Sequence, residues 1–139
     1  MADVKTVMRW LDIGVYLVFL VAAAVLGPRM ASWYVGLCLA VAAAPFWFAA
    51  RWRLGASFSA TAQARVLVTK GLYSKFRHPV YVFGSLAWLG ALMTLLGWPA
   101  LIIWVIIALV ESVRARREDR VLAEAFGAQY EEYRRHTWF

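Results

Sequence analysis

The sequence predicts an all-α integral membrane protein: a helical bundle of about four transmembrane helices with a cytoplasmic helical extension at its C-terminal end. Its 139 residues are 63% hydrophobic and 16% aromatic, whereas soluble domains are about half apolar. The apolar residues fall into long runs, and the basic residues cluster in the segments between alternate runs. A chain of this length forms one domain, so we expect residues 1–139 to be a single unit.

Each apolar run approaches the roughly 20 residues that an α-helix needs to cross the hydrocarbon of a bilayer. The predicted spans are residues 7–26, 31–50, 79–96 and 99–113. Gly27 and Pro28 end the first span. Pro45 is expected to kink the second, and Pro79 suits the first turn of the third, where its missing N–H costs nothing. Residues 51–70 are the long non-spanning segment, and we expect part of it to lie on the membrane surface.

The distribution of charge predicts the orientation of these spans. Of the 15 Lys and Arg residues, only Arg29 lies in a segment that the alternation assigns to the outside, and the net charge is +7. Basic residues stay on the cytoplasmic side, so both termini and the loop between the second and third spans are expected to be cytoplasmic. Basic residues that flank apolar spans indicate contact with anionic lipids rather than nucleic acid.

A cleavable signal peptide is the alternative interpretation of the first span. Lys5 and Arg9 would be its basic region, and the small residues 22–24 its cleavage site. The apolar run continues to Leu26, however, and the other runs require a membrane in any case. We therefore expect the first span to be retained.

The sequence also predicts the surroundings of two isolated side chains within the apolar runs. Asp12, near the start of the first span, either reaches the lipid headgroups or pairs with a basic residue, and we expect the headgroups. Cys38 is the single cysteine, so it forms no disulfide within the chain, and we expect it to be a buried small apolar residue.

Two polar segments flank the third and fourth spans. The first is residues 71–81, with the sequence GLYSKFRHPVY, and the second is residues 114–122, with the sequence RARREDRVL. Gly97-Trp98-Pro99 is a tight turn, so the two spans are expected to form a hairpin. The hairpin would bring both polar segments to the same cytoplasmic face, where they would form a site.

The second polar segment has a helical spacing of charges. Glu111, Arg114 and Glu118 lie three or four residues apart, so they share one face of a helix. Glu111 lies where the apolar run ends, and Arg114 is its nearest candidate partner. A solvated helix face carrying salt bridges is the alternative interpretation.

The first polar segment places Arg77 and His78 directly before a helix, with Tyr81 in the first turn. A helix N-terminus favours negative charge, so this arrangement suits an anionic ligand. The alternative interpretation is anchoring at the membrane interface by basic and aromatic side chains. The two histidines, His78 and His136, have no metal-ligand spacing, and no glycine-rich nucleotide motif is present.

The motifs in combination resemble a known superfamily. GLYSKFRHPVY, a two-helix hairpin, R-x-x-x-E-D-x-x-L and then FGAQYEEYRRHT are similar to the isoprenylcysteine carboxyl methyltransferases and phospholipid methyltransferases. Those enzymes carry a G-x-Y…RHP-x-Y motif, and later a pair of glutamates followed by FG-x-x-Y-x-x-Y. The resemblance covers residues 53–137, more than half of the chain.

The resemblance implies an integral membrane enzyme that uses S-adenosyl-L-methionine. The matching positions imply these cofactor-binding residues: Gly71, Tyr73, Arg77, His78, Tyr81, Glu118 and Asp119. Arg114 matches a family arginine near the methyl-transfer centre, and Glu111 is a nearby base, so both are predicted to be catalytic. Asp119 stands where the family has a second glutamate, and the shorter side chain reduces its reach.

The predicted function is methyl transfer to a lipophilic acceptor at the cytoplasmic membrane face. The acceptor would be an isoprenylcysteine-like carboxylate or thiol, or a phospholipid amine. Two alternatives remain open: an NADPH-dependent membrane reductase, and a non-catalytic membrane module that binds lipid or a partner. We expect a multi-pass protein of a bacterial or archaeal cell membrane that contacts membrane lipids and no nucleic acid. The sequence does not determine an oligomeric state.

Overall fold

The computed structural model describes residues 4–54 and 67–139, and these residues are almost entirely helical. The helices are α1 (Val4–Leu26), α2 (Ala31–Leu54), α3 (Pro79–Leu96), α4 (Ala100–Phe126) and α5 (Ala128–Arg135), with a short 3-10 helix at Gly71–Ser74. Within the described ranges, the β-type pairing is one isolated parallel bridge between Phe76 and Trp138. The predicted all-α class is therefore confirmed, while most of the expected surface segment 51–70 lies outside the described residues.

Glycine and proline set the helix ends that the sequence indicates. Pro79 occupies the first turn of α3. Gly97 and Gly127 follow α3 and α4 with φ angles of 73° and 50°, in the left-handed region that glycine adopts at low cost. Their N–H groups donate to carbonyls of the preceding turn, which belong to Met93 and Ala123. The two glycines thus redirect the chain into α4 and α5.

The core lies mainly between α2 and α3. Gly36 and Gly90 let the two backbones approach closely, since a Cβ added to Gly90 would lie 2.3 Å from the amide nitrogen of Ala40. Helix α1 packs beside this pair through the buried side chain of Tyr16. The Tyr16 hydroxyl lies 3.3 Å from the carbonyl oxygen of Ala40 in α2 and 3.4 Å from that of Ala87 in α3.

Length and apolar composition qualify two of the described helices as membrane spans, Ala31–Leu54 and Pro79–Leu96. The apolar part of α1, Trp10–Leu26, is shorter. Helix α4 runs without a break from an apolar first half into a charged second half, as the sequence predicts. The count of four spans, with both termini cytoplasmic, remains a prediction.

Two expectations about individual side chains are wrong. Asp12 contacts Arg51, a buried arginine in the last turn of α2, because α2 extends to Leu54 rather than ending at residue 50. The guanidinium of Arg51 belongs to this extra turn, where it reaches Asp12 of α1. Cys38 is exposed rather than buried, since it lies on the face of α2 opposite the close contact with α3.

Candidate active site

The hairpin of α3 and α4 brings the two polar segments into direct contact. His78 precedes α3, and its Nε2 lies 2.7 Å from Oδ1 of Asp119 on α4. Nη1 of Arg77 lies 3.4 Å from Oδ2 of the same carboxylate. The His78 side chain is only 4% exposed, so this contact forms within the protein rather than at a solvated surface.

Helix α5 completes the surroundings of Asp119. The buried Tyr130 donates its hydroxyl hydrogen to Oδ1 of Asp119. Burial alone would raise the pKa of Asp119, but the hydrogen bonds from His78 and Tyr130 and the charge of Arg77 outweigh it and lower that pKa. Burial and the hydrogen bond to Asp119 raise the pKa of Tyr130. The side-chain contacts of Asp119 therefore connect three elements: the segment that carries His78, α4 and α5.

Glu118 faces the other side of His78. Its Oε2 lies 3.7 Å from Nδ1 of His78, and its carboxylate lies near the phenol of Tyr81. Tyr73 is buried nearby, where burial and the charge of Glu118 raise the pKa of its phenol. The guanidinium of Arg114 lies 5.8 Å from the centre of the Tyr81 ring. Glu118 therefore lies among two phenols and an imidazole, with a cation close by.

The 3-10 helix that carries Tyr73 is held from two sides. Gly71 has a φ of 70°, a backbone conformation that glycine adopts at low cost, and the side chain of Arg53 at the end of α2 lies against it. Tyr133 of α5 donates its hydroxyl hydrogen to the Tyr73 carbonyl at 2.7 Å, and burial raises the pKa of Tyr133 to about 12.

A cavity of about 200 Å³ opens between α3 and α4 beside these groups. It is lined by Tyr81, Val82, Ser85 and Leu86 of α3, by Trp104, Ala108, Glu111 and Ser112 of α4, and by Phe139. At 1.5 Å per residue, Trp104 and Glu111 lie about 10 Å apart along α4. The cavity therefore has a polar end near Glu111 and Tyr81 and an apolar end near Trp104. The Trp104 Nε1 is buried and has no hydrogen-bond partner among the described residues.

The C-terminal segment pairs with the segment that precedes α3. The Trp138 N–H donates to the Lys75 carbonyl at 2.7 Å, and the Arg77 N–H donates to the Trp138 carbonyl at 2.9 Å. The main-chain oxygen of Phe139 then accepts a hydrogen bond from the N–H of His78 at 3.3 Å. The Phe139 ring meets the His78 ring edge-on, with 5.8 Å between their centres. This pairing places Phe139 at the cavity.

Six of the predicted cofactor residues meet in this arrangement: Tyr73, Arg77, His78, Tyr81, Glu118 and Asp119. Gly71 supports the turn below them, and Glu111 lines the cavity with Arg114 one turn away. Within the described part of the chain, no three His, Cys, Asp or Glu side chains are grouped to hold a metal ion.

The sequence prediction gave no site role to three aromatic residues of this region. Tyr130 and Tyr133 are the two tyrosines of the FGAQYEEY motif, and they lie three residues apart, so their spacing on a helix could have indicated one face directed at the site. Phe139 gave no such signal, because it reaches the cavity through an irregular backbone pairing rather than through a periodic element.

Comparison with known proteins identifies the family of this chain. Residues 30–129 match the family model described as phospholipid methyltransferase, which is more than half of the chain. The chain belongs to the phospholipid methyltransferase family. This membership agrees with the superfamily that the motifs indicate, and it favours neither the reductase nor the non-catalytic module.

One solved structure has the same fold as this chain. It is a eukaryotic intramembrane Ras methyltransferase, isoprenylcysteine carboxyl methyltransferase, with a TM-score of 0.65 and 24% sequence identity. The match covers 96% of this chain and 49% of that one, so the present chain spans about half the length of its structural relative. A comparison with curated proteins gave no significant match.

Proposed function

We propose that the protein transfers a methyl group from S-adenosyl-L-methionine to a lipophilic acceptor at the cytoplasmic face of a membrane. One observation carries the proposal: the contact of His78 with both Glu118 and Asp119 joins the two family motifs beside an apolar cavity. The cofactor motifs and a compartment for an apolar acceptor are thus neighbours, as a transfer between two bound molecules requires.

The residues fit the chemistry of the cofactor. S-adenosyl-L-methionine carries an ammonium group and ribose hydroxyls, which suit the Glu118 carboxylate. It also carries a carboxylate, which suits Arg77, whose buried Nε has no hydrogen-bond partner among the described residues. His78, Tyr73, Tyr81 and the Gly71 turn would line the same pocket. Asp119, which is engaged with His78, Arg77 and Tyr130, would position the cofactor-binding side chains around it.

The cavity fits the acceptor. A molecule with an apolar chain and a polar reactive head would place the chain toward Trp104 and the head beside Glu111 and Tyr81. When bound, the cofactor supplies the activated methyl group. The protein aligns the acceptor atom in line with that group and keeps water away from it.

The roles of Arg114 and Glu111 depend on the head group of the acceptor. A carboxylate is already ionised, so it needs orientation, and Arg114 provides a cation for that purpose. A thiol or an amine must first lose a proton, and Glu111 is the carboxylate that lines the cavity and could accept it. Arg114 and Glu111 would therefore act on different kinds of head group, Arg114 on one that is already ionised and Glu111 on one that must lose a proton.

The topology follows from the same proposal. With four spans and cytoplasmic termini, Glu118 and His78 lie where the cofactor is available, and the apolar end of the cavity points toward the bilayer. We propose a multi-pass membrane protein with cytoplasmic termini on this basis.

Ligand-dependent stability in detergent tests the function. S-adenosylhomocysteine, the product form of the cofactor, should raise the melting temperature, while NADPH should leave it unchanged, because ligands stabilise the state that binds them. Tritiated methyl transfer into a lipid extract then identifies acceptors. Stabilisation by NADPH alone would indicate a reductase, and stabilisation by neither compound would point to a non-catalytic module.

A further inference from the structure

Phe139 differs from the other described residues that line the α3–α4 cavity. The others belong to α3 or α4, whereas Phe139 comes from the C-terminal segment. We propose that Phe139 is a specificity-determining residue, whose ring limits the bulk of the head group at the polar end of the cavity. The site would then take acceptors with one apolar chain and a small head. This inference rests on the proposed function and narrows its range of substrates.

The contacts of Phe139 locate it at the polar end. Its ring lies 5.8 Å from the ring of His78, which directly precedes α3. Tyr81, in the first turn of α3, and Glu111, which lies near its phenol, also line the cavity. Trp104 lies about 10 Å deeper along α4. The ring of Phe139 therefore borders the space for the reactive head, not the space for the distal part of an apolar chain.

Backbone hydrogen bonds hold Phe139 in this position. Its main-chain oxygen lies 3.0 Å from the amide nitrogen of Arg77 and 3.3 Å from that of His78, and both amides donate to it. The preceding residue, Trp138, donates its N–H to the Lys75 carbonyl. Because none of these bonds uses a side chain of the C-terminal segment, replacing the Phe139 ring leaves the segment in place. A substitution there changes the shape of the cavity more than the fold.

Because the cavity is small, the ring of Phe139 affects which head groups fit into it. Pockets that enclose a whole drug-sized ligand measure about 300–1,000 Å³, and this cavity measures about 200 Å³. It holds only part of a lipid, so a bulky head with phosphate and glycerol groups competes with the phenyl ring for the same space. A small carboxylate or thiol head does not.

Two ligands with the same alkyl chain and different heads test the assignment. S-dodecylthioacetic acid has a small head, and dodecylphosphoethanolamine has a bulky one. Calorimetry measures the affinity of each ligand for the protein in phosphatidylcholine nanodiscs. In Phe139→Ala we expect the affinity ratio to shift about tenfold toward the bulky head, with Phe139→Leu intermediate. Phe139 is uncharged, so the charge difference between the two ligands cancels when variants are compared.

Trp138→Ala is the matched control. It removes a large aromatic ring from the neighbouring residue, whose side chain is 78% exposed, and the affinity ratio should stay at the wild-type value. An unchanged ratio in Phe139→Ala, an equal shift in Trp138→Ala, or failure of both ligands to bind would each overturn the assignment. Absence of methyl transfer with the expected shift in ratio would refute the proposed function alone and leave Phe139 as the determinant of ligand bulk.

Discussion

At the scale of single residues, the two neighbouring acids of α4 have different surroundings. The Asp119 carboxylate contacts His78, Arg77 and Tyr130. Glu118 lies 3.7 Å from His78 and near the phenol of Tyr81. One acid is thus committed to holding the structure together, while the other keeps more of its capacity to accept hydrogen bonds from a ligand.

Glu118→Gln should weaken the binding of S-adenosylhomocysteine about tenfold, because a neutral amide replaces an acceptor of charge-assisted hydrogen bonds. Calorimetry in detergent measures the dissociation constant. Glu124→Gln makes the same charge change at an exposed position of the same helix and should leave the constant unaltered. Equal affinities in Glu118→Gln and the wild type would remove Glu118 from the cofactor site.

Arg114→Ala should lower the rate of methyl transfer about a hundredfold while changing cofactor affinity much less, since the arginine orients the acceptor rather than the donor. Single-turnover rates and S-adenosylhomocysteine titrations separate the two effects. Arg117→Ala, exposed on the same helix, is the control. A parallel loss of rate and affinity in Arg114→Ala would instead place this guanidinium at the cofactor.

At the scale of elements, the contact of α2 with α3 depends on glycine. Gly90→Ala should lower the free energy of unfolding by about 1–3 kcal/mol, because the new methyl group meets backbone atoms that have no room to move. Gly14→Ala, where an added Cβ meets nothing within 4 Å, should stabilise α1 by up to about 1 kcal/mol. Denaturation in mixed micelles measures both. Equal stabilities for the two variants would contradict the close approach of α2 and α3.

The attachment of α5 should depend on pH through Asp119. The pKa of this carboxyl lies below its ordinary value of 3.8, so its stabilising contribution is complete above that pH and is lost as the pH falls through the lower folded value. The protection factors of the α5 amides against hydrogen exchange should fall there, and Asp119→Asn should show low protection throughout. Protection factors that are independent of pH in the wild type would show that α5 is held by other contacts.

The helix ends could be predicted from local chemistry, but the contacts between helices could not. Pro79, Gly97 and Gly127 each determine a boundary through backbone constraints that act within a few residues. The ion pair of Asp12 with Arg51 depends instead on how far α2 extends and how α1 packs beside it. That information is spread over many residues, so the headgroup expectation for Asp12 was wrong.

The candidate site was predictable to the extent that its residues lie on regular elements. The turn between α3 and α4 places His78 opposite Glu118, and a hairpin was sufficient to anticipate that. To predict the contact of Tyr130 with Asp119, one would also have to know that α5 folds back against α4. The position of Phe139 depends on an irregular backbone pairing, which hydrophobic periodicity does not predict. Its place in the cavity wall was therefore found only in the structure.

At the scale of the whole molecule, the orientation in the membrane is the central prediction. In a Cys38→Ser background, Met30→Cys and Gln129→Cys introduce single exposed thiols before α2 and in α5 without changing the charge distribution. An impermeant maleimide should label Cys at position 30 only from outside the cell and Cys at position 129 only from inside. Labelling of both positions from one side would contradict the predicted topology.

The bridge between Phe76 and Trp138 has a consequence for biosynthesis. The chain between these two residues comprises α3, α4 and α5, so the bridge closes only after all three have been synthesised and packed. The part of the cavity wall that Phe139 contributes therefore forms after the parts contributed by α3 and α4. Under the role proposed for Phe139, a nascent chain would select among acceptor head groups only once α5 has been made and the bridge has closed.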